Sequence, residues 1–231
     1  MQNNPKLLRK KRIVIFLDLI IDLLIIGALV YMGVVYGPFL YHEADYYLRR
    51  LLNKSYKVVE DIDYGPKPAK NIIESIVQKA PEIAIEPKSK EFGIIIEKIG
   101  VNEEVIQDVD LTDKKGMDSA LKRGVAHAKG TAYPGELGNV YLFSHSTVNV
   151  WDIWRYRSPF TLLRKLENGD RVIIFYKEQR YDYIVYEKKV VNPDSIEDLT
   201  GFAEEPTLTL QTCEPPGSNK YRLIVKARLE D

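Results

Sequence analysis

Apolar and polar residues alternate with a two-residue period through Thr207–Cys213 and again through Tyr221–Leu229. Between them, Glu214–Lys220 is rich in Pro, Gly, Ser and Asn, so the unit predicts a strand, a loop and a returning strand. The period fixes the faces. Leu208 and Leu210 share one side of the first strand, and Thr207, Thr209, Gln211 and Cys213 share the other. On the second, Leu223, Val225, Ala227 and Leu229 oppose Arg222, Ile224, Lys226 and Arg228. With both leucine faces turned to a core, Cys213 and Arg222 lie together on the outer side.

Earlier runs have the same short, β-rich character. Phe92–Lys98 and Val101–Val109 predict two strands, Val140–Ser144 a strand ending at His145, and Arg171–Tyr176 and Tyr181–Val191 two more. Met117–Lys122 predicts a short helix, Pro159–Leu166 a helical turn closing at Asn168-Gly169, and the glycine-dense Gly124–Asn139 a loop. Many short strands, little helix and no βαβ alternation predict a mainly β fold, a mostly antiparallel sheet closed into a barrel with short helices.

The amino end follows a different rule. Lys6, Arg9, Lys10, Lys11 and Arg12 precede an apolar run over 13–36, broken only by Asp18 and Asp22, which is long enough to span a bilayer. The basic flank predicts a cytoplasmic amino terminus and an external remainder, and no small-x-small pattern closes the run, so an uncleaved signal anchor is expected. Each aspartate costs roughly 2.5–3.5 kcal/mol at a helix centre; both lie in the cytoplasmic half on one helical face, where snorkelling lowers that cost. Residues 37–90 read as a juxtamembrane stalk with an amino-terminal appendage. Within them, Glu43–Tyr56 predicts a short amphipathic helix, and Ile72, Ile73, Ile76 and Val77 another among Pro66, Pro68, Pro81 and Pro87. The expected organisation is a basic cytoplasmic tail over 1–12, a transmembrane helix over 13–36, the stalk over 37–90 and the barrel over 91–231.

Composition narrows the chemistry. The chain has 231 residues, 45% hydrophobic and 29% charged, which suits one membrane segment and one well-cored domain. Zero formal net charge gives no electrostatic footprint for nucleic acid. One cysteine excludes an intramolecular disulfide, and three histidines offer no zinc-type spacing. Glu103, Glu104, Asp108 and Asp110 read as a solvated face, so neither metal nor cofactor is expected.

Cys213, Arg222 and His145 are the residues whose chemistry can combine. A guanidinium beside a thiol favours the nucleophilic thiolate form and its fixed donors suit an oxyanion, while a histidine at a strand end sits where a scaffold holds a general acid/base. His127, in the predicted Gly124–Thr131 loop, is a second candidate base.

Thr131-Ala-Tyr-Pro-Gly-Glu-Leu-Gly-Asn139 leading into His145, Leu163 through Gly169-Asp170, and Thr207-Leu-Thr-Leu-Gln-Thr-Cys213 with Arg222 in the next strand together resemble the sortases, membrane-anchored cysteine transpeptidases of bacterial surfaces. The resemblance implies a catalytic barrel in which Cys213 is the nucleophile, His145 the general acid/base and Arg222 the group that positions substrate and stabilises the oxyanion. It places Thr212 directly before the nucleophile, the Glu214 amide as an added oxyanion donor, and His127 where related enzymes carry a ring facing the groove. It implies surface-protein substrates with a C-terminal sorting signal of Leu-Pro-x-Thr-Gly type and an amine acceptor, a cell-wall precursor or a pilin lysine. Where the family often has Gly-His-Arg or Gly-His-Ser, this chain has Ser144-His145-Ser146. The alternatives are a peptidase of the same fold that passes its thioester to water, and a catalytically silent, membrane-tethered binding module.

Overall fold

The computed structural model describes residues 5–61, 82–146, 158–200 and 203–230. The expectations for a helix near Ile72–Val77 and for the aromatic stretch Trp151, Trp154 and Tyr156 lie outside the described residues. The chain falls into two units, Met1–Tyr41 and His42–Asp231.

In the first unit the long helix α1 (Pro5–Leu51, its last turns belonging to the second unit) carries a span, Lys11–Gly37, of mean hydropathy 2.9. Its apolar side chains are exposed, and by length and composition it can cross a membrane.

The second unit is a barrel whose strands are β3 (Phe92–Ile96), β4 (Val101–Val109), β5 (Val125–Ala128), β6 (Gly138–Phe143), β7 (Arg171–Tyr176), β8 (Gln179–Val191), β9 (Pro206–Glu214) and β10 (Tyr221–Leu229). They close in the order β10-β8-β7-β3-β4-β5-β6-β9. Ahead of them, β1 (Ser55–Val58) and β2 (Glu82–Ile85) form a parallel pair. Among the described residues two helices complete the unit, α2 (Lys114–Arg123) and the short α3 (Glu197–Thr200).

Most pairings are antiparallel, as expected, but β4 with β5 and β6 with β9 run parallel. The first arises because Val125–Ala128 is a strand rather than part of a loop: α2 carries the chain back from the end of β4, so β5 starts in the same direction. The second brings the chain's last hairpin alongside β6, far earlier in sequence. Pro159–Leu166 keeps only a 3-10 turn at Leu163–Lys165.

Burial explains the uninterrupted apolar runs in β3 and β7. Phe92, Ile94, Ile96, Val172, Ile174 and Tyr176 fill the barrel interior with Leu208, Leu210, Leu223 and Val225. Ile95, Ile173 and Phe175 face outward, where Val58 and Ile85 of the β1–β2 pair cover them. A strand buried on both faces has no polar period to show. Part of the segment expected as a stalk is therefore packed on the barrel wall. The last turns of α1 also belong to this unit: Tyr46 is buried, and Glu43 pairs with Arg164 and, at 2.9 Å, with Lys165.

Outside the opposite wall, Met117, Ala120 and Leu121 of α2 pack against Val109, Ala126, Ala128, Tyr141 and Phe143. Asp113 caps this helix by accepting the Lys115 amide at 3.1 Å. This packing fixes the outer face of β6, the strand that leads into His145.

Candidate active site

The β9–β10 ladder pairs Cys213 directly opposite Arg222, and Leu223, Val225 and Ala227 enter the core with Leu208 and Leu210. Cys213 and Arg222 thus share the outer face, both half-buried.

On the other side of β9, the parallel ladder with β6 runs from Gly138–Pro206 to Phe143–Gln211. It is prolonged by the Ser144 amide donating to the Gln211 carbonyl at 3.1 Å. Continued by two residues, this register sets His145 level with Cys213. Tyr141 and Phe143 lie on the outer face, so alternation gives His145 the same side. Cys213 faces Arg222 across the β9–β10 ladder, and with adjacent strands about 4.8 Å apart the continued register would set His145, just beyond β6, in the same row.

Around that row the structure is ordered by polar contacts. Arg222 donates through one guanidinium nitrogen to the carbonyls of Asn219 at 3.0 Å and Tyr221 at 3.2 Å. Its Nε and Nη2 donors make no hydrogen bond among the described residues. Below Cys213 on the same face, Tyr141 donates to the Gln211 side chain, and Thr209 donates to Asn139 at 2.8 Å. Burial and the Asp198 carboxylate push the Tyr141 phenol upward while the nearby Arg222 opposes them. Asp198, itself buried, is held by Lys189 at 2.8 Å and Lys226 at 2.7 Å, which keep its carboxyl below the usual range against the opposing effect of burial.

His145 is half-buried, with its Nε2 excluded from solvent. Burial holds its pKa below the ordinary 6.5, only partly offset by the Asp118 carboxylate on α2. Burial thus favours the neutral imidazole, the form that can accept a proton from a thiol.

The remaining predicted residues have different places. His127 is a fully buried residue of β5, level with Leu142 and so on the inner face, across the sheet from Cys213. Its Nε2 lies 2.9 Å from the Thr131 hydroxyl and 3.1 Å from the Ala132 carbonyl, and its Nδ1 is 3.4 Å from the Asp108 amide. The ring packs against Phe92 and Tyr133. Thr212, on the leucine face, is also buried and donates to the Ser144 carbonyl at 2.8 Å. Glu214, the last residue of β9, pairs with Tyr221 beside Cys213.

His127 makes stability pH-dependent. Burial outweighs the Ala132 carbonyl and the carboxylates of Asp108 and Glu136, so its folded-state pKa is depressed. A depressed value means that the folded state binds fewer protons, so this contribution is complete above the ordinary 6.5 and is lost as pH falls through the folded value. The thermal midpoint of the protein is expected to drop between pH 7 and pH 5, and His127→Gln to make that drop smaller, leaving the part due to His42 and His145, whose values burial also lowers. A midpoint rising on acidification over this range would contradict the assignment.

Among the described residues no cluster of His, Cys, Asp and Glu is arranged to hold a metal ion. Cys213, His145 and Arg222 offer a thiol, an imidazole and a guanidinium fork, groups that can serve acyl transfer.

Residues 94–230 match the family model described as the sortase domain. The chain is 25% identical to Sortase D of Bacillus subtilis (strain 168) over 152 residues, 65% of this chain and 68% of that protein. Among solved structures it resembles Sortase C1 of GBS Pilus Island 1, with a TM-score of 0.52 and 30% identity over 61% of this chain and 64% of that one. It also resembles sortase C of Clostridium perfringens with the C-terminal cell wall sorting motif, with a TM-score of 0.50 and 28% identity over 60% and 69% of the two chains. The family match covers more than half of the sequence and contains the whole row from His145 to Arg222, so the chain belongs to the sortase family, the transpeptidases of surface proteins.

Proposed function

We propose that this protein is a membrane-anchored transpeptidase that cleaves a C-terminal sorting signal of Leu-Pro-x-Thr-Gly type through a Cys213 thioester and passes the acyl group to an amine. The observation that carries the reading is the Cys213–Arg222 pair of the β9–β10 hairpin together with the β6–β9 ladder, whose register points His145, from far earlier in the sequence, toward the same row.

In the first half-reaction His145 takes the thiol proton as sulfur attacks the Thr-Gly carbonyl. The tetrahedral oxyanion meets the Arg222 donors and the Glu214 amide. Collapse breaks the C–N bond, the imidazolium returns its proton to the leaving glycine amine, and the thioester remains. In the second half, His145 removes a proton from the incoming amine, which displaces Cys213 as the new amide bond forms. The acceptor is an amine of a cell-wall precursor or a pilin lysine. The Lys11–Gly37 helix is the anchor, with the basic amino terminus in the cytoplasm and the barrel outside.

The guanidinium role has a sharp test. Arg222→Lys keeps the charge but replaces a planar fork with a point donor on a flexible stem. Turnover is expected to fall more than tenfold, about 1.4 kcal/mol of transition-state stabilisation. An unchanged kcat/KM would remove Arg222 from the chemistry. The fate of the thioester is read in the same assay: product bearing the added amine supports transfer, and a free threonine carboxylate in the presence of saturating amine identifies a hydrolase.

A further inference from the structure

We propose that Ser144 is a positioning residue that clamps the end of β6 from both sides and so holds His145 level with Cys213. The inference rests on the acyl-transfer reading of the row.

The β6–β9 ladder ends at Phe143–Gln211, two residues short of His145. A chain leaving a ladder has two soft dihedrals per residue, so without further restraint His145 would lose its register. Ser144 supplies that restraint with three hydrogen bonds. Its amide donates to the Gln211 carbonyl at 3.1 Å, and its carbonyl accepts the Thr212 hydroxyl at 2.8 Å, both from β9. Its own hydroxyl donates to the Gly124 carbonyl at 2.9 Å, on the β5 side. The two side-chain bonds are buried. Buried bonds are the ones whose loss leaves an orphaned group that water cannot reach.

Both partners are built to stay in place. Thr212 directly precedes Cys213, so the bond it makes to Ser144 ties together the residues immediately before the base and before the nucleophile. Gly124 lies at the end of α2, where a Cβ would come within 2.9 Å of the Glu104 carbonyl oxygen. Only glycine brings its carbonyl to this position without displacing β4 backbone. A glycine before the histidine, as the family often has, would lack the hydroxyl that reaches Gly124.

The test uses full-length protein in detergent micelles. Ser144→Ala removes the bond to Gly124, Thr212→Val removes the bond to the Ser144 carbonyl at nearly constant volume, and Thr212→Ser keeps a hydroxyl. Two readouts are taken: the rate and KM of acylation by a Leu-Pro-x-Thr-Gly peptide, and the pH titration of the His145 ring by NMR. The clamp predicts that Ser144→Ala and Thr212→Val each lower the acylation rate about tenfold with KM unchanged, and move the His145 midpoint toward the ordinary 6.5 as the ring gains solvent. Thr212→Ser should recover the wild-type midpoint and at least half the rate. An unmoved His145 midpoint in both Ser144→Ala and Thr212→Val overturns the clamp, whatever the rates. Wild-type protein that never acylates, but whose His145 midpoint shifts in both variants, leaves the clamp standing and overturns the acyl-transfer reading instead.

Discussion

Cys213→Ala is expected to abolish the acyl-enzyme and to lower transpeptidation by about 10⁴-fold or more, the scale on which removing a covalent nucleophile acts. The fold should survive. Cys213 is half-buried at the end of β9, and its loss leaves the Leu208, Leu210 and Thr212 face untouched. Thermal unfolding of the variant should match wild type within a few degrees, so lost turnover reports chemistry and not collapse. Residual turnover near the wild-type rate would mean that another group carries the acyl chain.

The second large effect belongs to His145→Ala, expected to cost about 10²–10⁴-fold in kcat/KM, the range for removal of a general acid/base. The wild-type pH profile should carry the signature of the same group. Neutral imidazole is the form that accepts the thiol proton, and burial holds the His145 pKa below 6.5. Activity should therefore persist to below pH 6.5 and fall only as the ring becomes protonated. His127→Gln serves as the contrast. Both nitrogens of His127 have partners on the inner face, so its replacement should lower stability and leave the acid limb in place. An acid limb that disappears in His127→Gln and persists in His145→Ala would exchange the two roles.

The closing hairpin was legible because alternation and turn chemistry agree over its whole length. Strands expected at Thr207–Cys213 and Tyr221–Leu229 occur as Pro206–Glu214 and Tyr221–Leu229, with Cys213 opposite Arg222. The same alternation places Thr212 on the leucine face, which is why its hydroxyl meets Ser144 and not the outer row. What local pattern could not show was partnership across the sequence. Val125–Ala128 is four residues long, flanked by glycines and buried on both sides, so it carries no alternation to distinguish it from a loop. The parallel β6–β9 ladder brings the chain leading into His145 alongside the chain leading into Cys213, yet nothing within either strand names the other. Of the β1–β2 cover, β1 overlaps the end of the stretch that reads as an amphipathic helix and β2 lies between Pro81 and Pro87, and only the doubly apolar Ile95, Ile173 and Phe175 hinted that something must lie over them. Ser144 had one signal, a polar residue on the inward phase of an apolar strand immediately before the candidate base.

That β1–β2 cover also dictates which protein to assay. A fragment starting near Ile72 would lose β1, and with it Tyr56 and Val58 from the cover over Ile173 and Phe175, whereas the full chain keeps that cover whole.

The most direct measurement is therefore the intact mass of full-length protein in detergent after brief exposure to a Leu-Pro-x-Thr-Gly peptide without amine, followed by mapping of the adduct. The account predicts a mass increase equal to the peptide through its threonine, located on Cys213, discharged when an amine is added and absent from Cys213→Ala. An adduct on any other residue, or substrate turnover by Cys213→Ala at the wild-type rate, would contradict it.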